Sequence, residues 1–134
     1  MYGCSKVLES WIEEKDTVPP HQFSMRWVVV KDAHFMWSDK KLMVTDTKNE
    51  DERSRWNECV HLMMMSGVDA VEDCASGREF KFNVETFGDT PVTRQFVFKA
   101  KSREQRDYWV DGLREHVQNF RNTVTHLSVS ALME

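Results

Sequence analysis

Residues 94–120 restrict the fold of this chain more than any other stretch. From Arg94 to Ala100 apolar and polar residues alternate, with Phe96 and Phe98 on one face and Val97 on the other, the period of a half-buried strand. A helix follows almost at once. Ser102 and Gln105 have the spacing of a capping box, in which the serine oxygen takes the third helical amide and the glutamine reaches back. Losing such a cap costs about 1 kcal/mol. Trp109, Leu113, His116 or Val117, Phe120, Val124 and Leu127 then recur at steps of three and four, one apolar stripe along the helix. Gly112 lies beside the stripe, where a missing side chain permits close approach to a strand. A strand leading into such a helix predicts that the helix folds back over the sheet, with Trp109 and Leu113 as its lid.

The upstream segments supply the sheet. Residues 5–15 fit two periods: Val7, Leu8, Trp11 and Ile12 recur at helical spacing, while Leu8, Ser10 and Ile12 alternate as in a strand. Asp16 to Gln22 reads as a loop, because Pro19 and Pro20 fix the backbone and remove donors. Phe23 to Lys31 is rich in β-branched and aromatic residues and predicts a strand; Asp32-Ala-His predicts a turn into a second strand from His34. Lys40 to Val44 reads as a continuation of that sheet, and Thr45 to Asn57, dense in both charges, as a solvated loop or short helix. His61 to Met65 reads as a buried strand that breaks at Gly67 and resumes from Val68. Ala75-Ser-Gly and Gly88-Asp-Thr-Pro read as turns, and Phe80, Phe82 and Val84 share one face of an alternating segment. Seven short strands at about ten-residue spacing, then one helix, predict a small sandwich or barrel.

Composition narrows the function classes. A length of 134 residues suits one domain, and 40% hydrophobic with 30% charged residues describes a folded soluble protein. The net charge of −4 lacks the basic excess of a nucleic-acid binder and argues against unaided adhesion to an anionic membrane. Cys4, Cys59 and Cys74 stand far apart and are odd in number, which predicts reduced thiols in a cytoplasmic protein. No apolar run approaches the ~20 residues of a membrane span.

The order of elements resembles the pleckstrin homology (PH) domain. Ser10-Trp-Ile-Glu-Glu-Lys sits where that family's first strand carries G-[WY]-L-x-K, and Phe23-Ser-Met-Arg-Trp-Val-Val-Val resembles its second strand. Arg78-Glu-Phe-Lys-Phe resembles the sixth, and Arg94 to Leu113 the last strand and helix with its inner tryptophan. The resemblance implies a mainly β fold: a seven-stranded orthogonal sandwich or open barrel capped by one C-terminal α-helix. It makes residues 5–15 a strand. It places a PH-like domain at 5–121 and a C-terminal helical extension or tail at 122–134, and Phe120, Val124 and Leu127 are the candidate contacts for a partner or a homodimer.

Many PH domains hold phosphoinositide headgroups with a K-x(n)-[KR]-x-R set on the first two strands, because clustered cations grip a polyanion with charge-assisted bonds. Carried onto this chain, the last position is Arg26, the middle one is Ser24 and the first is Glu14, with Lys15 beside it. The third-strand tyrosine and lysine positions fall on Ser38 and Asp39, followed by Lys40. Each basic residue near an anionic surface contributes about 1 kcal/mol, and a carboxylate opposes by a similar amount. The expectation is a degraded site, with Arg26, Lys15, Lys40 and Lys41 as its remaining candidates and Lys31 available to a modest patch. Cys59-x-His61 is the only tight pair of metal-type ligands in the sequence and has no second pair at ligand spacing, so no metal or other cofactor is expected. His21, His34, His116 and His126 read as surface or packed residues, and Glu13-Glu14 and Glu50-Asp51-Glu52 as solvated charge. Met63, Met64 and Met65 read as sheet core or as a pliable contact face. With no catalytic motif, the sequence reads as a non-catalytic protein-interaction, targeting or regulatory module of a larger protein, peripheral to membrane or cytoskeleton. Phosphoinositide-headgroup binding is the alternative.

Overall fold

The computed structural model describes residues 7–43, 49–72, 79–87 and 93–133, with side chains as far as Val124. The chain forms β1 (Leu8–Lys15), β2 (Phe23–Lys31), β3 (His34–Ser38), a short helix α1 (Glu50–Arg53), β4 (Glu58–His61), β5 (Met65–Val71), β6 (Phe80–Thr86), β7 (Arg94–Ala100) and the long helix α2 (Arg103–Met133). All seven strands belong to one antiparallel sheet in the order β4-β3-β2-β1-β7-β6-β5. The sheet does not close; β4 and β5 are its edges. β1 meets β7 only through Glu13↔Lys99 and Glu14↔Phe98, so the sheet nearly divides there into a four-stranded and a three-stranded half. The fold is therefore the expected one: mainly β, unclosed, and capped by a C-terminal helix.

Alternation decides which side chains face inward. Leu8 and Ile12 of β1, Val28 and Val30 of β2, Phe35 and Trp37 of β3, and Phe82, Val84, Phe96 and Phe98 form the main core. Trp37 sits edge-on to Phe96 at 4.9 Å and to Phe98 at 5.3 Å, and Phe82 stacks on Phe98 at 5.3 Å. Such aromatic pairs add to the burial of their area. The opposite face of β2 is buried too: Trp27 and Val29 pack with Met36 and Trp56 in a second cluster. A strand covered on both faces explains the unbroken Val28-Val29-Val30 run.

Helix α2 closes the core. Trp109 is fully buried, and its indole N–H donates to Ser10 Oγ on β1 at 2.8 Å, which satisfies the one polar atom of the ring. Gly112 lets the helix come down on β1: a Cβ there would lie 2.6 Å from Leu8 Cδ1. The predicted cap is present in a shifted form. The Gln105 N–H donates to Ser102 Oγ at 3.1 Å, while Gln105 Oε1 accepts from the Lys101 N–H, one residue before the serine, at 2.8 Å.

Several expectations are corrected. His61 to Met65 is not a strand; β4 ends at His61, one 3-10 turn (Leu62–Met64) follows, and β5 begins at Met65. The turn is held by the Met63 N–H donating to His61 Nδ1 at 3.1 Å. Leu62 and Met65 are buried and Met63 is exposed, so an apolar run at a corner imitated a strand. Gly67 does not break β5 but sits at a bulge in its register with β6. Lys40 to Met43 lie outside any strand. α1 is the short helix allowed for in the charged segment, with the Asn49 side chain accepting from the Asp51 N–H at 2.9 Å. Val44, Cys4, Cys74, the turns at 75–77 and 88–91, and the side chain of Leu127 lie outside the described residues.

α2 runs unbroken from Arg103 to Met133, and its described contacts with the sheet reach Phe120 and Arg121. The Phe120 ring meets His61 at 5.1 Å, and His61 in turn meets its cross-strand partner His34 at 4.9 Å. Burial, chiefly, holds both imidazoles below their ordinary range; His34 also lowers His61, Arg53 lowers both, and the Asp32 carbonyl and charge pull His34 back up.

Trp109→Ala is expected to cost about 3–5 kcal/mol, the range for deletion of a buried aromatic, measured by denaturant unfolding. Gly112→Ala is expected to lower the melting temperature although alanine is the better helix former by about 1 kcal/mol, because the buried Leu8 must be displaced. A rise in melting temperature would show that α2 does not sit this close. Because folding depresses the two histidines, their contribution is complete above the ordinary imidazole value of about 6.5 and is lost as pH falls through and below it. The denaturation midpoint is expected to drop over that window, and His34→Gln/His61→Asn to flatten the drop.

Candidate functional site

The mouth between β1 and β2 is built by alternation. Glu14 on β1 pairs in register with Ser24 on β2, and Ile12 with Arg26, so Glu14 and Arg26 share the inward face at the open end of the core. Asp16, two residues beyond Glu14, lies just past the end of β1. Its N–H donates to the Gln22 carbonyl at 2.8 Å, and its carbonyl accepts from His21 Nδ1–H at 3.1 Å. His21 adopts φ of 59°, in the left-handed region, where the chain turns back toward β2.

Arg26 is not a solvated strand residue. Its Nε donates to Glu14 Oε1 at 3.2 Å and its Nη2 to Asp16 Oδ1 at 3.2 Å, and its side chain is only 18% exposed. Ser24 Oγ donates to the other Asp16 oxygen at 3.1 Å. One guanidinium thus faces two carboxylates. Glu14 is itself buried; burial pushes its carboxyl up from the ordinary range, the Arg26 guanidinium pulls it back, and Asp16 and Glu58 add small upward pushes. Removing Arg26 would leave a buried, unpaired carboxylate, which costs several kcal/mol. The cleft here, about 370 Å³, is lined by Glu14, Asp16, Thr17, Val18, Pro19, Pro20 and Arg26.

The structure does not bring the four candidate cations together. Lys15 is exposed and, by alternation, on the opposite face from Glu14. Lys41 crosses to the outer cluster, with Nζ 4.7 Å from the centre of the Trp27 ring. Lys40 is exposed, and its N–H donates to the buried Ser38 Oγ at 3.2 Å. Asp39 is exposed and lines none of this cleft among the described residues. The carboxylate that does so beside Glu14 is Asp16. In the sequence Asp16 reads as loop, and its even spacing from Glu14 is the signal that puts it on the same side.

A group of lysines around Phe23 was not foreseen from the sequence. On the outer face, Phe23 lies under Lys99 Nζ at 4.5 Å and Lys81 Nζ at 5.4 Å, opposite Lys15 in register. Lys81 pairs with Glu79 at 2.8 Å and Lys99 with Glu13 at 3.6 Å. These lysines come from β6 and β7, strands far from Phe23 in sequence. Elsewhere, Cys59 is pushed up to about 11, mainly by burial, which keeps it a neutral thiol near neutral pH. Among the described residues no three His, Cys, Asp or Glu side chains converge as metal ligands.

Comparison with known proteins agrees with this architecture. No curated protein matches the chain significantly. The solved N-terminal PH domain of human ARAP2 is 20% identical, with a TM-score of 0.57 over 87% of this chain and 83% of that one. The PH domain of human KIAA0053 protein is 12% identical, with a TM-score of 0.62 over 87% and 92%. The Slm1-PH domain in complex with inositol-4-phosphate is 14% identical, with a TM-score of 0.55 over 86% and 98%. The PH domain family model matches residues 6–118, nearly the whole of the sheet and its helical lid, and the chain belongs to that family.

Proposed function

We propose that this chain is a non-catalytic PH-type binding module that serves protein interaction, targeting or regulation within a larger protein, with a degraded phosphoinositide site. The observation that carries the reading is the double ion pair of Arg26 with Glu14 and Asp16. A headgroup phosphate entering this mouth would have to displace two carboxylates and then sit beside them. Each exposed to the ligand opposes binding by about as much as a basic residue favours it, roughly 1 kcal/mol. The mouth therefore repels the polyanion that a fully basic set would hold.

Phosphoinositide binding is the second reading, and one observation favours it. Lys81 and Lys99 over Phe23, with Lys15 alongside, offer cations on the outside of the same hairpin. The Slm1-PH domain, distant in sequence, is a fold relative solved with inositol-4-phosphate.

A vesicle panel containing each phosphoinositide in turn tests both. The wild type is expected to show no headgroup-selective sedimentation, and Glu14→Gln/Asp16→Asn to gain about tenfold or more, as expected for two relieved carboxylates. Micromolar, headgroup-selective binding by the wild type that Arg26→Lys abolishes would sink the first reading. Selective binding that survives in Arg26→Lys but is lost in Lys81→Glu/Lys99→Glu would establish the second.

A further inference from the structure

We infer that the groove between edge strand β5 and helix α2 takes an extended acidic peptide of a partner protein, added to the sheet alongside β5. β5 is the last strand in the sheet order, and nothing pairs with its outer side among the described residues. An open edge invites another strand. Here two of its carbonyls are occupied by side chains of α2. Arg114 Nε donates to the Val68 carbonyl at 2.8 Å, and Arg121 Nη2 donates to the Met65 carbonyl at 2.9 Å. The backbone amide of an added strand offers the same kind of donor, so it can take the place of Arg114 at Val68 without leaving that carbonyl unpaired.

The groove's lining states the chemistry of the occupant. Met65, Ser66, Gly67 and Val68 form one wall and Arg114, Val117, Gln118 and Arg121 the other, around about 280 Å³. The only charged groups in the lining are the two arginines. Arg114 has a loose partner in the exposed Asp69 at 3.4 Å, and Arg121 meets no carboxylate among the described residues. Glu85, on the neighbouring strand, already accepts from Ser66 Oγ at 3.3 Å. A strand carrying carboxylates would receive the Arg114 guanidinium as it leaves the Val68 carbonyl, while Arg121 stays on Met65 at the end of the groove. The bulge between Met65 and Gly67 limits the added pairing to the stretch from Val68, whose outward groups recur two residues on at Ala70.

This inference rests on the protein-binding reading above and adds its location and ligand class. Two eight-residue peptides test it, one alternating glutamate with valine and one alternating lysine with valine. They are titrated by fluorescence anisotropy, and amide hydrogen exchange of the full chain is followed by NMR. The acidic peptide is expected to bind about tenfold or more tightly than the basic one, as charge complementarity at an interface allows, and to slow exchange at Val68 and Ala70. Arg114→Glu/Arg121→Glu, at two exposed positions, is expected to reverse the order of the peptides. Equal affinities, no binding at millimolar peptide, or protection mapping outside β5 would overturn the inference, and the wild-type comparison stands alone if the double variant misfolds. Failed peptides with vesicles that show no selectivity retire the groove only. Headgroup-selective vesicles retire the reading beneath it.

Discussion

The fold depends on covering the inside of a sheet that does not close. Seven strands bring Ile12, Val28, Phe35, Trp37, Phe82 and Phe98 to one interior, and an unclosed sheet leaves that interior open at one end. α2 covers it with Trp109, Leu113 and Val117, all buried. The seat is specific because of two details on β1. Ser10 accepts the indole N–H, and Leu8 fills the space left by the missing side chain of Gly112. The helix is thus fixed both along its axis and in its distance from the sheet. The same β1 strand carries the mouth at its other end, through Glu14.

At the mouth, charge is settled within the chain. Arg26, the inward-facing cation of β2, is ion-paired with both Glu14 and Asp16. The burial of Glu14 makes this more than a surface pairing, since a buried carboxylate needs its counter-ion. Other cations lie elsewhere: Lys81 and Lys99 on the outer face around Phe23, and arginines of α2 on backbone carbonyls along the β5 edge.

Much of this was legible in residue order. Alternation in Arg94–Ala100 and the stripe through Trp109 and Leu113 gave the last strand and the lid, because a half-buried strand and a half-buried helix each write their period into the chain. The period failed where the backbone turns a corner. Leu62 and Met65 are buried, yet Met63 between them is exposed in a 3-10 turn, a pattern that a short apolar run does not announce. The candidate site was legible only in part. Glu14, Ser24 and Arg26 were found through the resemblance, whereas Asp16 was missed because it lies beyond the strand that orients it.

The sequence by itself determined most of the strands, the helical lid and the poverty of cations on the first hairpin, since these follow from local period and residue identity. Tertiary structure alone decided which charges meet. Lys15 is turned to the opposite face by the alternation of β1, and Lys41, past the end of β3, lies over Trp27. Lys81 and Lys99, distant in the chain, converge on Phe23. Arg114 and Arg121 reach β5 only because α2 folds back across the sheet. An electrostatic site depends on distances of a few ångströms between residues from separate strands, and the register and packing that set those distances are properties of the folded chain.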